Sequence, residues 1–215
     1  MGRRGTPEPS LGDGPRVLLV HGGAREDGLG RHLVRRARAS LEGLGVEPRE
    51  HDLVGDAFDP VLRLSPEEPH ALPCDPASDP LTARYQEDVR WAQALVVLHP
   101  VWWFAPPAVV KGWVDRVLVH DVALEQREQG PPRGLCAGKR MLVAMTFNTG
   151  AAIDRVAFRG HTTFFWRRVV GLSLGLDSVN CLRLYEVRDL EPARLKRFEE
   201  RLGRALSGLV GSLRP

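Results

Sequence analysis

The 215-residue chain is 43% hydrophobic and 27% charged, with a formal net charge of +3, which suits one domain with a sizeable core. Its arginines are scattered rather than gathered into a stripe, which excludes a nucleic-acid partner. Cys74, Cys136 and Cys181 lie far apart, with no CxxC or Cys/His cluster, which excludes a zinc site or a disulfide framework and suits a reducing cytoplasm.

The N-terminal "MGRRGTPEPSLGDGP" has little apolar area to bury and is expected to be a disordered tail over residues 1–15. Residues 16–215 are expected to form a single domain. No run is long enough for a signal-peptide core or a transmembrane helix, so a cytoplasmic protein without direct membrane insertion is expected.

"RVLLVH" (16–21) is a continuous apolar run, the pattern of a parallel strand buried on both faces. Leu29, Leu33, Ala37, Leu41 and Leu44 then recur at helical spacing, closed by Gly45. "VEPREHDL" (46–53), more polar and carrying Pro48, reads as an edge strand. Residues 54–80 form a Pro- and acid-rich excursion, and 80–93 a helix. "ALVVLH" (94–99) is the next buried strand, followed by a loop and a helix over 107–120. After a polar loop at 121–138, "KRMLVAMTF" (139–147) is a strand, 160–175 a helix, 178–187 a strand and 191–212 an amphipathic helix.

Five strands alternating with helices imply an α/β fold with right-handed crossovers and helices on both faces of a parallel sheet. The compact solution is the flavodoxin-like strand order 2-1-3-4-5, which binds ligands beyond the carboxyl ends of strands one and three. Three loops therefore matter. The first, "HGGAREDGLGRH", offers glycines and a helix N-terminus to a phosphate, but is neither a GxGxxG fingerprint nor a P-loop. The second, "PVWWFAPP", is stiffened by Pro100, Pro106 and Pro107. Its Trp102, Trp103 and Phe104 either pack a core or subunit interface, or present a stacking surface whose ligand meets the backbone of Val101 to Phe104. The third, "TFNTGAAIDR", brings Thr146, Asn148, Thr149 and Gly150 past the fourth strand, small polar groups suited to a heterocycle or to an ordinary turn.

"HPVWWFAPPAVVKGWVDRVL" resembles the "FPLxWFxxPAxLKGWxDRVF" signature of flavodoxin-like NAD(P)H:quinone oxidoreductases of the DT-diaphorase type. That group includes modulator-of-drug-activity quinone reductases and the ancillary flavoproteins of potassium efflux systems. "HDLVGDAFDPV", "GPPRGLCAGKRMLVAMTFNTG" and "WRRVVGLSLGLDSV" extend the likeness over residues 16–187. The resemblance implies a homodimer carrying FAD, or FMN, against Trp103 and Phe104. The backbone of Pro100, Val101 and Trp102 would lie at its polar edge, with Thr146, Asn148, Thr149 and Gly150 opposite. His21, Leu29 and Gly30 would face the phosphates, and the KGWVDR residues would form a supporting helix. It also implies an NAD(P)H donor and a small-molecule quinone or other electrophilic acceptor, served in turn by a ping-pong mechanism. The alternative the family offers is a flavoprotein accessory to a membrane transporter. The phosphate loop departs from the family's hydroxyl-bearing pattern, reading "EDGLG" with Asp27. The family's catalytic Tyr and His positions fall at or beside Asp154 and His161.

Overall fold

The computed structural model describes residues 14–23, 27–63 and 79–213. All but the last two residues of the expected tail, most of the 54–80 excursion and Cys74 lie outside the described residues.

The apolar runs build a five-stranded parallel sheet from β1 (Val17–His21), β2 (Arg49–Asp52), β3 (Ala94–Pro100), β6 (Arg140–Thr146) and β7 (Ser178–Leu184). The order is β2-β1-β3-β6-β7. Two short strands, β4 (Leu124–Glu125) and β5 (Arg133–Gly134), pair in a separate antiparallel ribbon. Counting the main-sheet strands alone gives the expected 2-1-3-4-5. The polar β2 takes the edge, as its composition requires.

Alternation along each strand divides the core. Leu18, Val20, Leu95, Val97, Met141 and Val143 face one side, under α2 (Pro80–Trp91), α3 (Ala108–Val117) and the helical segment after β6. Val17, Leu19, Val96, Leu142 and Ala144 face the other, under α1 (Leu29–Gly43) and α6 (Pro192–Gly211). Helix α1 buries Leu33, Ala37 and Leu41, and Gly45 at φ +76° ends it. In α2, Pro80 occupies the first turn and the Asp79 carboxylate accepts from the Thr82 amide at 3.0 Å.

The KGWVDR helix α3 is structural. A Cβ on Gly112 would lie 2.4 Å from the Pro60 backbone, so glycine lets the two chains touch. Trp113 is fully buried and donates to His51 Nδ1 at 3.1 Å, while His51 Nε2 donates to Asp88 at 3.0 Å. After β6 the chain makes a π-helical turn (Ile153–Ala157). The expected 160–175 helix then runs as α4 (His161–Phe164), a π-helical stretch (Phe165–Val170) and α5 (Gly171–Leu174).

Candidate functional site

At the carboxyl edge of the sheet, Pro100 and Thr146 are register partners, and the Val101 amide donates to the Thr146 carbonyl at 2.8 Å. The next four residues fold back in a tight turn, with Trp102 and Ala105 exchanging backbone hydrogen bonds of 3.0 Å in both directions. Its two central residues, Trp103 and Phe104, sit at φ +50° and +55°. Two positive φ values in a two-residue connection are the pattern of a type I′ turn, normally built from Asn and Gly. Bulky aromatics there store strain of roughly 1–3 kcal/mol each. Trp103 gains no packing in return, being 98% exposed. Trp102 and Trp103 are thus not core plugs.

Two anchors maintain that shape. The Phe104 ring stacks on Phe158 with centroids 3.6 Å apart and an interplanar angle of 12°. The hydroxyl of Thr162, a buried residue, donates to the Phe104 carbonyl at 2.5 Å.

Residues Val101–Phe104 and Phe147–Thr149 border one cavity of about 320 Å³, within the range of small-molecule sites. Aromatic faces supply its apolar wall, and Asn148 and Thr149 with nearby backbone supply polar groups. Phe147 is buried beside Tyr185, with ring centroids 4.8 Å apart.

A second, narrower cavity adjoins it at the strand ends, lined in part by Gly23, Gly30, Arg31, Pro100 and Thr146. Gly30 and Arg31 lie in the first turn of α1, whose N-terminal amides suit an anion. A Cβ at Gly23 or Gly30 would meet nothing within 4 Å, so that wall is open. Gly22 is different: a Cβ there would lie 2.4 Å from Val110, and glycine allows the loop to pass over α3.

His21 also borders this cavity, but its ring is committed elsewhere. Nε2 contacts Glu50 at 2.7 Å and Nδ1 lies 3.5 Å from Asp52, which also pairs with Arg31 at 2.5 Å. Burial outweighs the Asp52 and Asp56 carboxylates and, helped by Arg31 and Arg38, holds the His21 pKa down to about 4. His21 is therefore a neutral ring turned to β2, and Arg31 is the cation at this end. Burial raises the Asp52 pKa, but the Gly55 amide, Arg31 and His21 together hold it below the usual value. His99 beneath the site is also neutral, lowered to about 4 by burial. Its Nε2 accepts from Trp166 Nε1 at 2.9 Å, which leaves Nδ1 to donate to the Pro100 carbonyl at 2.7 Å.

The expected residues therefore gather in two groups. Val101, Trp102, Trp103, Phe104, Asn148 and Thr149 line the first cavity, and His21, Gly30, Pro100 and Thr146 the second. Leu29, the first residue of α1, packs against the core, and Gly150 lies near Glu186. Asp154 is 0% exposed, in the π-helical turn, and Oδ2 accepts the Tyr185 hydroxyl at 2.7 Å. It is not among the residues lining either cavity. His161 is exposed at the start of α4 and is not on the cavity wall. Sequence reading missed Phe147, Gly23, Arg31, Phe158 and Thr162. Of these, only Arg31, a cation in the first turn of a helix behind a glycine loop, carried a readable signal. Among the described residues no His/Cys/Asp/Glu group is placed to hold a metal.

The donor set fits a flavin: an aromatic-walled slot for the ring system, polar groups at its edge, and a helix N-terminus with one arginine for the phosphate. The comparisons with known proteins agree. The flavodoxin-like fold family profile matches residues 15–206. The FMN-dependent NADH:quinone oxidoreductase of Azospirillum brasilense is 32% identical over 174 residues, covering 74% of this chain and 75% of that protein. FMN-dependent NADH:quinone oxidoreductase 1 of Jannaschia sp. is 29% identical over 175 residues, covering 76% of this chain and 84% of that protein. Among solved structures, the NAD(P)H:quinone oxidoreductase from Methanothermobacter marburgensis superposes with a TM-score of 0.71 at 20% identity, covering 91% of this chain and 99% of that one. With the site geometry, these matches place the chain in the flavodoxin-like family, among the NAD(P)H:quinone oxidoreductases.

Proposed function

We propose that the protein is a flavin-dependent NAD(P)H oxidoreductase that reduces quinones or similar small electrophilic acceptors by a ping-pong mechanism. The single observation that carries this is the strained turn at Trp103 and Phe104 facing Asn148 and Thr149 across one cavity. The relatives are named FMN-dependent, so we assign FMN rather than the FAD implied by the resemblance.

Trp102, Trp103 and Phe104 would hold the ring system, and Arg31 with the first turn of α1 the phosphate. When bound, the flavin supplies the hydride and electron transfer itself, and the protein supplies orientation. Rigidity is the chain's main contribution. The Phe104–Phe158 stack and the Thr162 hydrogen bond fix the platform, so that stacked reactants meet in register. None of the residues lining the first cavity has a titratable side chain, so protons for the reduced acceptor would have to come from outside this lining. Trp102 and Trp103 leave apolar surface exposed there, and a second copy of the chain covering it would give the homodimer. A cytoplasmic setting, where NAD(P)H is available, completes the reading.

The test is the absorbance spectrum of the purified protein, with chromatography of the released cofactor. A yellow protein releasing FMN, with parallel double-reciprocal plots for NAD(P)H and a quinone, is expected. A colourless protein that takes up neither FMN nor FAD overturns the reading.

A further inference from the structure

A third cavity, of about 340 Å³, opens on the segment that follows β6, outside the flavin site. Arg155, Arg159, Arg167, Arg168 and Arg183 line it together with Thr163. Among the described residues none of these five forms an ion pair, whereas nine other arginines do. Their partners are neutral. Arg183 donates to the Thr163 hydroxyl at 3.3 Å, and Arg155 lies 6.0 Å from the Tyr185 ring centroid. Five positive charges thus share one concavity in a chain whose net charge is only +3. Guanidinium groups crowded without counter-charges repel one another, and an anion placed among them relieves that repulsion. Their planar forks suit the oxygens of a phosphate.

The backbone adds a second sign. Arg159 is held at φ +49°, beside Gly160 at φ +65°, a conformation that non-glycine residues seldom adopt. The cavity is also tied to the flavin platform. Phe158 stacks on Phe104 and the next residue is Arg159; Thr162 holds the Phe104 carbonyl and the next residue is Thr163. The segment that walls the arginine cavity therefore also supports the aromatic turn of the first cavity, and a ligand reaching from one to the other would need a flat ring at one end and phosphates at the other.

We propose that the arginine cavity binds the phosphate groups of the nicotinamide dinucleotide donor, and favours NADPH over NADH because NADPH carries one more phosphate. This rests on the oxidoreductase reading for the identity of the donor; the phosphate site itself does not.

The variant to use is Arg159→Gln with Arg168→Gln, both exposed and free of packing duties. Calorimetry on the purified protein would measure adenosine 2′,5′-bisphosphate and inorganic pyrophosphate as probes. The parent is expected to bind the bisphosphate more tightly than pyrophosphate, and the variant to bind it about tenfold or more weakly, as expected for lost charge-assisted hydrogen bonds. No binding by the parent, or equal binding by parent and variant, overturns the site. Equal affinity for the two probes overturns its assignment to a nucleotide. In turnover, the ratio of kcat/KM for NADPH to that for dihydronicotinamide riboside, which has no phosphate, should fall about tenfold in the variant. Oxidation of both donors with an unchanged ratio sinks this proposal and leaves the oxidoreductase reading standing. Arginine-dependent bisphosphate binding without oxidation of any nicotinamide does the reverse.

Discussion

Tyr185 donates its hydroxyl to Asp154 Oδ2 at 2.7 Å, and Asp154 Oδ1 is buried with no hydrogen-bond partner among the described residues. Burial, then the Asp154 contact, raises the pKa of that tyrosine. Tyr185→Phe would strip the carboxylate of this side-chain donor and should cost about 2 kcal/mol, the penalty for leaving a buried polar group unsatisfied. Adding Asp154→Leu removes the stranded group as well. The double variant is expected to unfold at a higher urea concentration than Tyr185→Phe alone. A single variant as stable as the parent would show that Asp154 does not depend on Tyr185.

Trp103 separates presentation from stability. Its ring is almost wholly exposed and its φ of +50° is strained, so Trp103→Gly relieves the backbone and forfeits no packing. After allowing for the entropy glycine loses on folding, the flavin-free protein should gain about 1 kcal/mol. FMN affinity should fall several-fold, because the removed ring is part of the platform. Denaturant unfolding and a flavin titration check the two halves. Lower stability together with unchanged FMN binding would refute the account.

The buried histidines set an acid limit. Burial takes His99 from 6.5 to about 4, and His51 likewise. Below pH 6.5 the unfolded chain takes up protons that these folded rings refuse. The stability they permit is present at neutral pH and is lost as the pH falls from 6.5 toward 4, at about 1.4 kcal/mol per pH unit for each ring. In His99→Gln the slope of stability against pH, between about pH 6 and pH 5, should be shallower by about that amount. An unchanged slope means that His99 is protonated in the folded protein.

Much of the fold was legible because buried parallel strands announce themselves as short aliphatic runs, and "VLLVH", "ALVVLH" and "RMLVAMT" all became central strands. The place of the aromatic stretch followed from topology. Its conformation did not, since nothing in local preference puts a Trp-Phe pair at positive φ where Asn-Gly belongs. The ribbon at Leu124 and Arg133 was invisible because two-residue strands show no period. The partners of the His21 ring could not be read, because Glu50 and Asp52, some thirty residues later, decide where it turns. Asp154 was placed by counting along the chain, and the π-helical turn it occupies changes the residue count per turn and carries its side chain inward.

The helix bearing the arginine cavity is pinned at both ends. Near its start, Thr162 grips the aromatic turn; at its finish, the Cys136 amide donates to the Leu174 carbonyl at 2.9 Å, and a Cβ on Gly134 would lie 2.2 Å from the Leu174 backbone. A strut fixed this way cannot yield at one end alone. Bulk added at Gly134, on a ribbon remote from the cavity, has to push the whole segment lengthwise. A surface hairpin and the aromatic turn are thus joined through one segment although they never touch.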